Sequence, residues 1–379
     1  MPSPSQYLAA RRRRVCEQLD ALTIDALIAI HPPNVCYLSN HLGTAGILVL
    51  TSDAVHLLVD FRYTEAVRRR QDSDARCPGL RVWDVPASYD EALVGCLAEL
   101  GIARAGFEAS HLTVSRHDWL RRTIAARKLD IELRATERVV ERARLVKDEY
   151  EQAVLREAAA RLTEVADAAF AAVRRGEQER DVATAIEMAL RRAGFDRMAF
   201  ETIVASGPHA ALPHHRAGAR RLEGGDLVVL DFGGVLDGYC CDLSRTVSVG
   251  PAGSDAARVY AAVREAQQAA IDAVRPGVTA SDVDAAARAV LGSHGLGETF
   301  GHGTGHGLGL EVHEEPRLGR RRDEGPPPER LASGMVFTIE PGAYIVGWGG
   351  VRIEDDVLVT DQGCELLTAV TRELIAVGS

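Results

Sequence analysis

The residues of this chain best suited to chemistry are histidines in a glycine-rich stretch and acids at the ends of apolar runs. The stretch is GHGTGHGLGLEVHEEP, residues 301–316. Glycine stands at every second position from Gly301 to Gly309, and His302, His306 and His313 are strung through it. His302 and His306 are four apart, the spacing by which two imidazoles on one helix face share a zinc ion. Five glycines in nine residues argue against that helix, because each costs ~1 kcal/mol relative to alanine. The imidazoles therefore need partners elsewhere. Asp231 closes the run VVLD before FGG, and Glu340 closes FTIE before PG. Asp242 lies in YCCDLSRTVSV and Glu354 in GVRIEDDVLV.

One acid in such a place is more often a cap or a solvent-facing side chain than a ligand. Four in matching places argue for metal. Crowded carboxylates raise one another's pKa and cannot all ionise without compensation. Two divalent cations would bring four positive charges to Asp231, Asp242, Glu340 and Glu354, and one imidazole of the glycine-rich stretch would complete the set.

The places match because the chain repeats. Val173-Arg174-Arg175-Gly176, Asp181-Val182 and Ala193-Gly194-Phe195 recur at an offset of 101 as Val274-Arg275-Pro276-Gly277, Asp282-Val283 and His294-Gly295-Leu296. RLEGGDLVVLDFGG (221–234) recurs at an offset of 109 as RLASGMVFTIEPGA (330–343). Each half then offers a second strand with a further acid, Asp242 or Glu354, at a separation that fits a hairpin. Helical spacing of apolar residues predicts helices over 148–174, 180–193, 255–274 and 281–292, packed on a sheet. Residues 147–379 thus read as two similar helix-plus-strand halves related by pseudo-symmetry.

Ahead of them, DALIAI (25–30), GILVLTS (46–52) and VHLLVD (55–60) read as buried strands, and Arg11–Leu22 and Asp90–Leu100 as helices. FRYTEA (61–66) reads as a strand exit into a helix. Strands alternating with helices suggest an α/β domain, and no catalytic constellation stands out in it. From Thr136 the texture becomes strongly helix-forming, which puts the boundary within 136–147.

Composition narrows the class. The chain has 379 residues, 46 % hydrophobic and 26 % charged, as in a soluble enzyme of two or three domains. A net charge of −10 disfavours nucleic acid or an anionic membrane as partner. No apolar run approaches the ~20 residues of a membrane helix, and no h-region follows Arg11–Arg14, so no signal peptide is expected. Seven cysteines without C-x-x-C fit reduced thiols in the cytoplasm.

The set LDFGG, YCCDLSRT, GHGTGHGLGLEVHEEP, FTIEPGAYI and GWGGVRIEDD, in that order, resembles the pita-bread metallopeptidases, in their prolidase and aminopeptidase P branch. The resemblance implies a mixed α/β (α+β) protein. A smaller creatinase-type domain over 1–140 would precede a pseudo-symmetric catalytic domain over 141–379. It implies Asp231, Asp242, His306, Glu340 and Glu354 as the ligands of two divalent ions, with Asp242 and Glu354 bridging and His302 nearby without being a ligand. His214, in LPHH, and His313 would contact substrate and stabilise the intermediate, with His302 beside them. Arg352 would order ligands and substrate, and Arg317 would meet the substrate carboxylate. Glu340 would shuttle the proton, and a metal-bridging hydroxide would attack the Xaa-Pro bond. An oxygen-rich site with one nitrogen suits Mn2+, and Co2+ or Zn2+ could substitute. A homodimer is expected on the same resemblance.

Arg317 tips the reading toward an Xaa-Pro dipeptidase over an Xaa-Pro aminopeptidase acting on longer peptides. A non-catalytic pita-bread binding module, a metal-free creatinase and a methionine aminopeptidase are the other readings; the first two lack a full ligand set and the last usually lacks the first domain. The glycines would let backbone and substrate approach the metals or permit a turn or bulge. Cys241 should turn away from the metals into packing, His209 and His215 should be exposed or lie near the entrance, and EGPPPER (324–330) should be a stiff surface loop. Asp355 and Asp356 are not expected to be ligands.

Overall fold

The computed structural model describes residues 2–321 and 327–378, so part of the expected loop 324–330 lies outside the described residues. The chain forms two compact units, Met1–Arg144 and Leu145–Ser379. In the first, six strands run in the order Leu80–Asp84, Val55–Val59, Ile47–Thr51, Ala26–Ala29, Arg104–Glu108, Glu132–Thr136. The three apolar runs read from sequence are the middle strands of this sheet, wholly buried. The FRYTEA segment opens the helix Phe61–Gln71, capped by Asp60, which accepts from the Arg62 amide. Helices Ser5–Ala21 and Tyr89–Glu99 stand where the first unit's two helical patterns were read. No helix among the described residues is long and apolar enough to cross a membrane.

The second unit carries the repeat in its backbone. Its helices are Glu149–Ala172, Glu179–Arg192, Ser254–Ala273 and Ala280–Ser293. Gln178 bridges Arg221, and Thr279 bridges Arg330, a pair displaced by the offsets of 101 and 109. Gly176 and Gly277 both take positive φ (89° and 86°). Their amides donate to the carbonyls of Leu222 and Leu331. The helices of the first half pack with its strands around Leu162, Ile186, Leu230 and Phe232, and those of the second around Val263, Leu291, Phe337 and Ile353.

Each half ends in a hairpin. In the first, Leu227–Leu236 pairs with Tyr239–Val249. Asp237-Gly238 makes the turn, both residues at positive φ, as a two-residue hairpin turn of this sequence requires. In the second, the corresponding strands are broken. Val336–Ile339 stops at Glu340-Pro341, where proline has no N–H to continue the ladder, and resumes as Gly342–Ile345. The return strand is likewise split into Gly349–Arg352 and Asp355–Val359.

Register refines the symmetry. Asp231 lies opposite Ser244, so Asp242 is its diagonal neighbour on the same face, two residues along the strand. In the second half Gly342 lies opposite Arg352 and Ile339 opposite Asp355. The same register sets Glu340 directly opposite Glu354. The structural counterpart of Glu354 is therefore Ser244, and that of Asp242 is Arg352. The four acids sit in matching strands but at two different kinds of pair.

Candidate metal centre

The two hairpins meet along their inner edges. The Glu354 amide donates to the Ser244 carbonyl at 3.0 Å, and the Ser244 hydroxyl donates to Glu354 Oε2 at 2.7 Å. These two positions are symmetry counterparts, so the pseudo-axis passes between them. The other acids are pinned by their own amides: Asp242 N–H donates to Asp356 Oδ2 at 3.1 Å and Glu340 N–H to the Thr304 carbonyl at 2.7 Å.

The glycine-rich stretch enters this centre as a strand, Gly305–Gly307, between Glu314–Leu318 and Val336–Ile339. Gly305 and Gly307 let the neighbouring strands approach, and the ladder to Glu314–Leu318 shifts register between His306 and Gly307, a bulge. A Cβ on Gly305 would stand 1.9 Å from the Thr338 carbonyl oxygen, and one on Gly307 2.1 Å from that of Glu315. His306 is thereby wedged into the site. Its Nε2 lies 3.5 Å from Glu340 Oε1 and 3.9 Å from Asp242 Oδ2. Asp242, His306 and Glu354 each offer a ligand atom within 4.8 Å of the other two.

The electrostatics show what is missing from a purely protein site. Burial pushes the Asp242 carboxyl far up, and Glu354, Asp231, Asp356 and Glu340 add to it. Burial, with Glu340 and Asp231, does the same to Glu354. Glu340 is pushed up to about 8 by burial, against the pull of Arg352. Burial, then His313, lowers His306 to about 3. Asp242, Glu340 and Glu354 are thus pushed toward their protonated forms, which bound cations would reverse, while His306 is already deprotonated, as a metal ligand must be. Asp231 Oδ1 and Asp242 Oδ1 are buried without a hydrogen-bond partner, although such oxygens are normally paired. Unused carboxylate oxygens beside a neutral imidazole are the donor set of a divalent metal.

Around the acids runs a chain of hydrogen bonds. Arg352, 3 % exposed, donates through Nη2 to Asp231 Oδ2, through Nε to Ser244 Oγ at 2.9 Å and through Nη1 to Tyr344 Oη at 2.9 Å. His302 Nδ1–H donates to the Gly303 carbonyl at 2.8 Å, which leaves Nε2 to accept from Tyr344 Oη at 2.8 Å. Burial holds His302 at about 4, hence neutral. The relay joins His302, Tyr344, Arg352 and Ser244 to two of the acids, Asp231 and Glu354. Tyr344 and Ser244 were not picked out in the sequence. Ser244 could have been found from the hairpin register, and Tyr344 from its alternation with Gly342 in EPGAYI.

The open side is basic. Arg317 lies opposite His306 across the strand pair and is exposed. The His313 ring meets the His306 ring edge-on at 4.2 Å. Burial, then Arg317 and His214, lowers the His313 pKa. His214 is exposed and within electrostatic reach of both His302 and His313.

Asp356, not expected as a ligand, also has its Oδ1 buried without a hydrogen-bond partner, while its Oδ2 accepts from the Asp242 amide. Cys241 is fully buried in the first half's core. Asp355 accepts from Arg245 at 2.7 Å, Gln267 at 2.8 Å and Thr368 at 2.6 Å. His209 and His215 both turn to Glu179.

Residues 153–361 match metallopeptidase family M24, and residues 11–146 match the Creatinase/Prolidase N-terminal domain. An Xaa-Pro dipeptidase of Pyrococcus horikoshii is 35 % identical over 96 % of this chain and 98 % of its own. The solved structure of an Xaa-Pro dipeptidase from Bacillus anthracis superposes with a TM-score of 0.91 at 34 % identity, covering 98 % of this chain and all of that one. An X-Pro aminopeptidase structure from Thermotoga maritima gives 0.84 at 32 % identity, over 95 % of this chain and all of its own. Motif order, buried acid centre and full-length similarity agree, and the chain belongs to metallopeptidase family M24, its catalytic fold preceded by a Creatinase/Prolidase N-terminal domain.

Proposed function

We propose that this chain is an Xaa-Pro dipeptidase, a prolidase, working with two divalent cations. The observation that carries the reading is the buried acid centre with its unpartnered Asp231 Oδ1 and Asp242 Oδ1 beside neutral His306. Asp231, Asp242, His306, Glu340 and Glu354 would hold the ions. Bound there, divalent ions supply Lewis acidity and lower the pKa of water. Mn2+ suits a set with four carboxylates and one nitrogen.

The protein's own groups divide the remaining work. Glu340 keeps some exposure, its side chain at 17 %, and is the group that takes and returns the proton. His313, at the exposed edge of the site beside His306, and His214 donate hydrogen bonds to the developing oxyanion. Arg317, facing the open side, binds the carboxylate that ends an Xaa-Pro dipeptide. Arg352 orders Asp231, and neutral His302 borders the substrate through its bond to Tyr344. The domain reading, 1–140 followed by 141–379, is supported by compact units that divide at Arg144 and Leu145. Cytoplasmic location is supported by an odd number of cysteines, seven, with no C-x-x-C, and a homodimer by resemblance to the branch.

The test is hydrolysis of an Xaa-Pro dipeptide and an Xaa-Pro-Xaa tripeptide by metal-stripped protein, with and without Mn2+. Mn2+-dependent cleavage of the dipeptide alone is the expected result. Release of the first residue from the tripeptide would make it an aminopeptidase, and cleavage of neither with Mn2+, Co2+ or Zn2+ would overturn the peptidase reading.

A further inference from the structure

Glu179 opens the helix Glu179–Arg192, is wholly buried, and spends its carboxylate on one short segment. Its Oε1 accepts from the Ser206 amide at 2.9 Å, the Ser206 hydroxyl at 2.7 Å and His209 Nδ1 at 2.9 Å. Its Oε2 accepts from His215 Nε2 at 2.9 Å and the Gly218 amide at 3.2 Å. These five donors span residues 206–218, a 3-10 turn (Gly207–Ala211) followed by irregular chain. Burial alone would raise the Glu179 pKa, but the bonds from His215, Ser206 and His209 outweigh it and hold the carboxyl ionised. Both oxygens are fully engaged by N–H and O–H donors, so the cluster acts as a clamp rather than as an ion site.

His214 lies inside the clamped segment. The residue after it, His215, is fixed by Glu179. The residue before it, Pro213, has its carbonyl held by Arg352 Nη1 at 3.3 Å, and the same guanidinium binds Asp231. His214 itself is exposed, so its placement comes from its two neighbours. We infer that Glu179, through His209 and His215, is a positioning residue that sets His214 against the metal centre. This rests on the role given to His214 above.

The test is a double-mutant cycle on the holoenzyme, joined to hydrogen exchange. His214→Ala is expected to lower kcat/KM about 100-fold, the order of a lost oxyanion donor. Glu179→Gln, which cannot accept all five bonds, is expected to cost about tenfold alone and less than about twofold in the His214→Ala background, because coupled residues are not additive. Residues 207–218 should exchange faster in Glu179→Gln, while Leu227–Leu236 and metal content stay unchanged. His215→Leu, which removes one clamp donor, serves in the same cycle should Glu179→Gln fold poorly. Losses that add fully, or unchanged exchange over 207–218, overturn the clamp. Full activity in His214→Ala overturns the His214 role, and the functional sense of the clamp with it, whereas the exchange result reads the clamp independently of activity.

Discussion

Stripped of metal, the protein should lose stability as pH rises through neutrality. Glu340 has a folded-state pKa of about 8 against an ordinary 4.5, with burial as the main cause. Folded protein then binds a proton that the unfolded chain has released, so stability falls with rising pH between the two values. His306 and His302, lowered to about 3 and about 4, act in the opposite sense, costing stability as pH falls below the ordinary histidine value of about 6.5. Above about pH 6.5 their contribution is flat, which isolates the acids. From there to its pKa Glu340 titrates over about 1.5 pH units at ~1.4 kcal/mol each, about 2 kcal/mol, trimmed by its residual exposure. Burial also raises Asp242, Glu354 and Asp356, which act with the same sign. For a unit of this size the Glu340 share alone is about 4–8 °C in Tm. Scanning calorimetry of chelator-treated protein at about pH 6.5 and pH 8 reads it directly. Saturating Mn2+ should abolish most of the fall, and Glu340→Gln should remove its part without metal. A metal-free Tm that is level or rises toward pH 8 would refute the electrostatics of the centre.

Other substitutions probe the surrounding structure. Gly305→Ala puts a methyl against the Thr338 carbonyl and should cost about 3 kcal/mol of stability by overpacking, read by urea unfolding, with metal affinity falling alongside. Tyr344→Phe leaves His302 Nε2 unpaired and removes one Arg352 bond. It should cost about 1–3 kcal/mol and lower kcat/KM about tenfold while the protein still binds metal. Arg317→Ala should raise KM for an Xaa-Pro dipeptide about tenfold while changing stability by less than about 0.5 kcal/mol, because the side chain is exposed.

Much of this was legible in the sequence because backbone rules are local. Gly176 and Gly277 recur because both repeats need a left-handed residue after the helix, and the helices follow from apolar spacing. Asp231 and Glu340 stood out by closing apolar runs before turn formers, a strand-end pattern that holds for Glu340, whereas Asp231 lies inside Leu227–Leu236 with no turn after it. The finer arrangement depends on pairing, which spacing alone does not encode. Eleven and fourteen residues both fit hairpins, yet one pair is diagonal and the other directly opposite, because Asp242 stands two residues before the register partner of Asp231 while Glu354 stands at that of Glu340. The glycines of 301–309 read as room for metals and substrate, or as a turn or bulge. Gly305 and Gly307 are room for the carbonyls of Thr338 and Glu315 on the two flanking strands, and the ladder does shift register between His306 and Gly307. Glu179 escaped notice for a similar reason: nothing near it in sequence announces that its partners lie at 206–218.

The most direct measurement is the number of Mn2+ ions bound per chain by metal-stripped protein, read by calorimetry, beside Asp242→Asn. Two ions in the parent and loss of tight binding in the variant are predicted. No tight binding in the parent, or two ions retained by Asp242→Asn, would contradict the assignment of these acids to a dinuclear centre.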